Sequence, residues 1–165
     1  MLTISQVVTS DDIRVVRELL QEYTAWAFTL APGSDDAPTF RGLEHELATL
    51  PGVYAPPTGG LFLARADGRP AGCVALKTHG AETGELKRLY VRPGFRGANI
   101  GASLVATVIE AARTLGCRRV ILDSHASMTQ AHRVYEAAGF GRVVAPDGFP
   151  EHMRSQVVFM ELVIE

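Results

Sequence analysis

The sequence has few cysteines, little excess charge and no long apolar segment. Its two cysteines, Cys73 and Cys117, are too few for a disulfide framework, and neither has a Cys or His neighbour at metal-ligand spacing. The net charge of −2 gives no strongly basic surface for nucleic acid or an anionic membrane. No apolar run is long enough for a bilayer, and the first residues, MLTISQVVTSDD, lack the pattern of a secretion signal. We therefore expect a cytoplasmic protein without a nucleic-acid or membrane partner.

The composition that remains is that of a folded globular chain. Hydrophobic residues make up 47% of the 165 positions and charged residues 21%, which argues against disorder. The length suits one sizeable core. No repeat, low-complexity tract or linker divides the chain, so we predict a single domain over residues 1–165.

Apolar periodicity and turn residues predict alternating strands and helices. The predicted order is a strand at 2–8, a helix starting at Ser10, a loop at 31–39, a helix at 40–50, strands at 61–64, 71–77 and 85–91, a helix from Ile100 that stops at Gly116, a strand at 118–124, a helix opened by a capping box at Ser127–Gln130 and ended by Gly139, and strands at 140–144 and 156–164. This order predicts an α/β fold in which helices flank one sheet.

The most informative stretch is 84–116, which reads as a strand, a glycine-containing turn and the start of a long buried helix. Such a helix end presents unpaired N–H groups and the positive end of its dipole. Gly97 and Gly101 permit close approach to the backbone, and Arg96 adds a positive charge. The pattern favours an anion site, and a pyrophosphate is the anion that it suits. It fits neither the dinucleotide fingerprint nor a nucleoside-triphosphate loop, and an ordinary strand-to-helix connection is the alternative.

Two motifs resemble those of the GNAT superfamily of N-acetyltransferases. Val91-Arg92-Pro93 followed by Arg96-Gly97-Ala98-Asn99-Ile100-Gly101-Ala102 is similar to the family's coenzyme A loop, in its Arg-Gly-x-Gly-Ile-Gly form. Asn99 replaces the middle glycine, which is a mild departure because Asn tolerates left-handed backbone angles. Leu122-Asp123 followed by Tyr135-Glu136-Ala137-Ala138-Gly139-Phe140 resembles the second motif. The resemblance runs from about Leu61 to the C-terminus.

The resemblance implies a fold, a donor and a set of binding residues. The fold is a GNAT-like mixed, mostly antiparallel central sheet flanked by helices, in which the strands at 85–91 and 118–124 splay apart and admit the pantetheine arm. The donor is acetyl-CoA. Its binding residues are Leu89, Tyr90, Val91, Arg96, Gly97, Ala98, Asn99, Ile100, Gly101 and Ala102.

The implied activity is acetyl transfer from acetyl-CoA to a primary amine, and a small-molecule amine is favoured because no added recognition domain is present. The alternative is a non-catalytic acyl-CoA-binding or regulatory module. Family members are often dimers, so a homodimer is also considered, although no stretch identifies an interface.

Three residues are candidates for the chemistry. The family's tyrosine motif makes Tyr135 the candidate proton donor to the leaving sulfur, and a buried aromatic is the alternative. Glu85 is the favoured base, directly or through water, against a solvated edge charge. Asp123 is its rival, against a loop-capping carboxylate. Strand alternation predicts Glu85, Lys87, Leu89 and Val91 on one face, with Leu86, Arg88 and Tyr90 on the other, and would let Lys87 pair with Glu85.

Other polar and aromatic residues leave alternatives open. Tyr23, Trp26, Phe40 and His45 either line the acceptor pocket or pack in the core. Met128 stands where many members of the family have an asparagine that contacts the cofactor's amide arm, and a thioether cannot donate that bond. Ser124 and His125 fall near the site, but we assign His125 no role. The group Arg118, Arg119, His132 and Arg133 either meets the ribose phosphate or forms a solvated face.

Overall fold

A computed structural model describes residues 1–30, 40 and 42–165. The predicted loop 31–39, and Arg41 in the predicted helix 40–50, lie outside the described residues. The elements are β1 (Leu2–Gln6), α1 (Ser10–Leu30), α2 (Leu43–Ala48), β2 (Gly59–Ala66), β3 (Arg69–His79), β4 (Thr83–Val91), α3 (Ile100–Thr114), β5 (Arg119–His125), α4 (Thr129–Ala137), β6 (Gly141–Val143) and β7 (Val157–Val163). Short 3₁₀ turns lie at Gly52–Tyr54, Pro93–Phe95 and Glu151–Gln156.

The strands in the described residues form one seven-stranded sheet in the order β1-β2-β3-β4-β5-β7-β6. Every neighbouring pair is antiparallel except β4 and β5, which are parallel. The predicted mixed, mostly antiparallel sheet is confirmed.

The parallel pair β4 and β5 separates soon after it begins. Their ladder runs only from Thr83 opposite Arg119 to Glu85 opposite Ile121. Beyond this point the described residues show no further pairing between the two strands, so backbone groups on the facing edges line a gap. The predicted splaying of these strands is confirmed.

A β-bulge interrupts β4 and overturns the predicted face assignment. Cys73 lies opposite Tyr90 but Ala75 lies opposite Lys87, so β4 carries one extra residue. Arg88 sits there with φ 61°, a left-handed angle that is uncommon for a non-glycine residue. The extra residue reverses the alternation, because one added residue moves every following side chain to the other face.

The two faces of the sheet cover separate clusters of buried side chains, which show the effect of the bulge. Leu86, Leu89 and Val91 all pack in the cluster under α3 and α4, whereas Tyr90 packs in the cluster under α1. Simple alternation would have placed Leu86 with Tyr90 and apart from Leu89. That prediction was wrong, because the sequence pattern gives no sign of the bulge.

The starts of α1 and α4 compare differently with their predictions. The helix predicted to start at Ser10 is α1, and its Asp12 N–H bonds to Thr9 Oγ1 at 3.1 Å, so Thr9 caps it. The capping box predicted at Ser127–Gln130 is wrong, since α4 has Met128 at its N-cap and no side-chain cap bond. Ser127 Oγ instead lies 2.8 Å from His125 Nδ1. Among the described residues, no helix combines the length and the apolar character that crossing a bilayer requires.

Candidate active site

A cavity of about 290 Å³ opens where β4 and β5 separate. It is enclosed by side chains of α1, β4, β5 and α4 and by the start of α3. All the residues predicted to bind the acyl carrier line it, with the exception of Ala98. The candidate donor Tyr135 and the candidate base Asp123 line the same cavity, and Glu85 does not.

The N-terminus of α3 supplies unpaired amides to this cavity. The first backbone bond at this helix end runs from Ser103 N–H to the Asn99 carbonyl, at 3.0 Å. The three preceding amides, at residues 100–102, therefore have no partner within the helix. Asn99 has φ 59° and Gly97 has φ 88°, so both take the left-handed conformation that turns the chain into the helix. The helix end therefore has free amides at the cavity, and an anion site there stays a prediction.

Arg96 is held at the edge of the cavity by two contacts. Its Nε donates to the Val91 carbonyl at 2.9 Å, and its guanidinium lies over the Trp26 ring, 4.7 Å from the centroid. Nearby, Arg92 makes a two-pronged ion pair with Glu22 of α1, at 2.7 and 3.0 Å. Together these contacts attach α1 to the end of β4, beside the start of α3.

Tyr135 projects from α4 with its ring packed edge-on against Phe140, 5.9 Å between centroids. Only 5% of the residue is exposed. Its hydroxyl makes no hydrogen bond to any part of the chain that the structure describes. Burial, followed by the charges of Tyr23 and Asp123, raises the pKa of Tyr135 far above its ordinary value. The phenol therefore remains a hydrogen-bond donor throughout the neutral and mildly alkaline range.

The two candidate bases lie in different surroundings. Asp123, on β5, faces the cavity, and its charge raises the pKa of both Tyr23 and Tyr135. Glu85 lies in the paired part of β4, where its carboxylate is 2.7 Å from His79 Nε2. The expected partner, Lys87, lines the cavity instead and makes no ion pair with the described residues. Because Glu85 does not line the cavity, it can act as the base only through a water that relays the proton.

The expected acceptor-pocket residues divide into two groups. Tyr23 and Trp26 line the cavity, and the Tyr23 hydroxyl lies 3.9 Å from Met128 Sδ. Burial raises the pKa of Tyr23 to about 12. Phe40 packs against Tyr23, with ring centroids 6.0 Å apart, and neither Phe40 nor His45 lines the cavity.

Comparison with known proteins identifies the family. The model of the Acetyltransferase (GNAT) family matches residues 16–140. The chain belongs to this family. It is 36% identical over 141 residues to an uncharacterized N-acetyltransferase of Schizosaccharomyces pombe, a match that covers 84% of this chain and 82% of that protein. It is 34% identical over 109 residues to the N-acetylaspartate synthetase of Mus musculus, and this match covers 65% of the chain but only 36% of the synthetase.

Solved structures support the GNAT fold independently of sequence. The PaiA N-acetyltransferase of Thermoplasma acidophilum, crystallised in complex with coenzyme A, superposes with a TM-score of 0.78. The two chains are 17% identical, and the superposition covers 99% of each. The predicted family and fold class are confirmed, as is the expectation of an acetyltransferase.

The GNAT domain also contains a buried ion pair that sequence reasoning missed. Arg88, at the bulge, binds Glu46 of α2 through Nε at 2.8 Å and Nη2 at 3.2 Å, and Glu46 accepts a 2.7 Å bond from Tyr54. Burial alone would raise the pKa of Glu46, but the Arg88 bonds and charge and the Tyr54 hydroxyl together hold it below its ordinary value. An arginine on the buried side of a strand was the available signal.

Proposed function

We propose that this GNAT domain transfers the acetyl group of acetyl-CoA to the primary amine of a small molecule, by direct attack on the thioester. The observation that carries the proposal is a single cavity that joins the amides at the start of α3 to Tyr135 and Asp123. Anion binding and acid–base groups in one enclosure are what transfer from a phosphorylated carrier requires.

The donor is acetyl-CoA, and its two ends have different needs. The pyrophosphate needs anchoring, which the free amides at the start of α3 and the Arg96 guanidinium supply. The pantetheine arm needs hydrogen-bond partners along an extended path, and the unpaired edge of β4 beyond Glu85 offers backbone groups for this. Held at both places, the thioester lies in the cavity beside Tyr135.

The reaction forms one bond and breaks another. The amine nitrogen attacks the acyl carbon, the carbon–sulfur bond breaks, and the nitrogen loses a proton. Asp123 accepts this proton, directly or through one water, because it is the candidate carboxylate that lines the cavity. Tyr135 donates a hydrogen bond to the departing thiolate, because burial keeps its phenol protonated.

The acceptor approaches from the α1 side of the cavity, where Tyr23 and Trp26 lie. A small molecule is supported by the size of the cavity, about 290 Å³. One relative is named for a small acetylated product, N-acetylaspartate. A cytoplasmic location and a homodimer stay predictions.

The test is an amine-panel assay that follows release of free thiol from acetyl-CoA. Lys87 lines the cavity and has no ion-pair partner among the described residues, so its charge favours an acceptor that carries a carboxylate. The panel therefore contains matched pairs of amines with and without a carboxylate. Thiol release that depends on a small amine supports the proposal. Tight coenzyme A binding with no turnover across the panel would favour the non-catalytic module instead.

A further inference from the structure

A second pair of side chains lies at the cavity wall outside the proposed chemistry. Ser124, the penultimate residue of β5, lines the cavity and is 4% exposed. Its Oγ lies 3.0 Å from Nε2 of His132 on α4, which is 3% exposed. Buried polar side chains in proteins are almost always hydrogen-bonded, because an unpaired buried polar group costs free energy. A buried pair in which one member faces a ligand cavity therefore requires an explanation.

The position of Ser124 places it on the carrier's side of the sheet. Along β5, Val120, Leu122 and Ser124 share the buried face, and the first two pack in the cluster under α3 and α4. Asp123 points to the opposite face. Ser124 therefore lies on the same side as the free amides at the start of α3, and on the opposite side from α1.

His132 is a neutral ring in these surroundings. Burial lowers its pKa, the positive charge of Arg142 on β6 and the His125 ring lower it further, and the His125 backbone and Glu136 act in the opposite direction. A neutral imidazole has one N–H and one acceptor nitrogen. Nε2 faces Ser124 Oγ at 3.0 Å, so the tautomer with its proton on Nδ1 makes Nε2 the acceptor in this contact.

We propose that His132 is a positioning residue: its Nε2 accepts the Ser124 hydroxyl hydrogen, so that Ser124 Oγ can only accept a hydrogen bond from the cavity. The ligand group that matches is an amide N–H of the pantetheine arm. This inference rests on the proposed function, because it needs an acyl carrier in the cavity. It assigns Ser124 Oγ as the hydrogen-bond acceptor for an amide N–H of the pantetheine arm, which lies well away from the phosphates.

The first test is calorimetric titration with coenzyme A at pH 7.5. Ser124→Ala should weaken binding by about three- to tenfold, the range for one hydrogen bond. His132→Phe should weaken it similarly, and the double variant should be no weaker than Ser124→Ala, since His132 acts through the hydroxyl. Ser127→Ala is the matched control: its hydroxyl also bonds a histidine, His125, but Ser127 does not line the cavity.

Nuclear magnetic resonance gives a readout that a merely structural role would not move. In protein labelled with ¹⁵N-histidine, His132 should show the proton on Nδ1 at pH 7.5. As the pH falls through the pKa of His132, Nε2 gains a proton and becomes a donor, so coenzyme A binding should weaken in the wild type but not in Ser124→Ala. If His132→Phe does not fold, the tautomer of His132 and the coenzyme A affinity of Ser124→Ala still decide the test.

Three results would overturn the proposal. They are a proton on Nε2 of neutral His132 at pH 7.5, unchanged coenzyme A affinity in Ser124→Ala, and an effect of Ser124→Ala that is confined to the KM of the acceptor amine. In each case coenzyme A still binds the wild-type protein, so the proposed function survives. Absence of coenzyme A binding by the wild type would instead remove the proposed function, and this inference with it.

Discussion

Replacing Tyr135 by phenylalanine removes one hydroxyl from the cavity and keeps the ring on Phe140. The hydroxyl has no partner in the part of the chain that the structure describes, so its loss should leave the melting temperature nearly unchanged. A hydrogen bond to a charged group contributes about 1.5–3 kcal/mol. If it forms only as the thiolate departs, kcat should fall roughly 10- to 150-fold.

The assay is thiol release at saturating acetyl-CoA, paired with a separate measurement of coenzyme A affinity. The affinity should change little, because the contact is made in the transition state. The wild-type and variant rates should keep a constant ratio between pH 6 and about 9, because the raised pKa leaves Tyr135 protonated throughout. Tyr54→Phe is the matched control. Its hydroxyl bonds the Glu46 carboxylate at 2.7 Å, so this variant should lose about 1.5–3 kcal/mol of stability and keep its turnover.

Full activity in Tyr135→Phe would refute the donor role. So would a loss of rate that appears entirely as weaker coenzyme A binding, because the hydroxyl would then contact the carrier equally in the ground state. A ratio that changes with pH below 9 would show that the phenol titrates in that range, contrary to its burial.

Three other predictions test the site and its support. Arg96→Glu should abolish the rise in melting temperature that coenzyme A gives the wild type; an unchanged rise would remove Arg96 from the phosphate site. Glu46→Gln should lower the free energy of unfolding, measured with denaturant, by about 3 kcal/mol. The same change in an exposed ion pair, Glu136→Gln, should lower it by less than about 1 kcal/mol. The cost of Glu46→Gln should be fully present above the ordinary pKa of Glu46, 4.5, and vanish as the pH falls through its lowered value; a constant cost would contradict the pairing. Asp123→Asn should lower kcat, whereas Glu85→Gln should keep a constant ratio to the wild type across pH; the reverse pattern would assign the base to Glu85.

The sequence predicted the parts of the fold that local chemistry determines. Strand ends, glycine turns and the apolar face of α3 follow from residue type and spacing, and the left-handed Asn99 follows from the tolerance of its side chain. The proposed coenzyme A loop was recognisable because all its residues are contiguous. The same holds for Tyr135, which lies a fixed distance before Gly139 and Phe140.

The remainder depends on contacts between distant segments. The bulge at Arg88 is stabilised by Glu46, 42 positions away, and no local pattern reports such a contact. Because the bulge was not foreseen, alternation assigned the wrong faces to β4. His132 was grouped with three arginines as contacts to the ribose phosphate or as part of a solvated face, yet the packing of α4 on β5 buries it against Ser124. Glu85 lies beside His79 because β3 and β4 pair in a register that the sequence does not reveal.

The stacking of Arg96 on Trp26 gives the molecule an optical reporter. Trp26 is the single tryptophan of the chain, so its emission comes from one known place. A guanidinium that turns from the indole toward incoming phosphates would change that emission without any label. Rapid mixing with coenzyme A can therefore time the arrival of the carrier and, with amine present, show which substrate enters first.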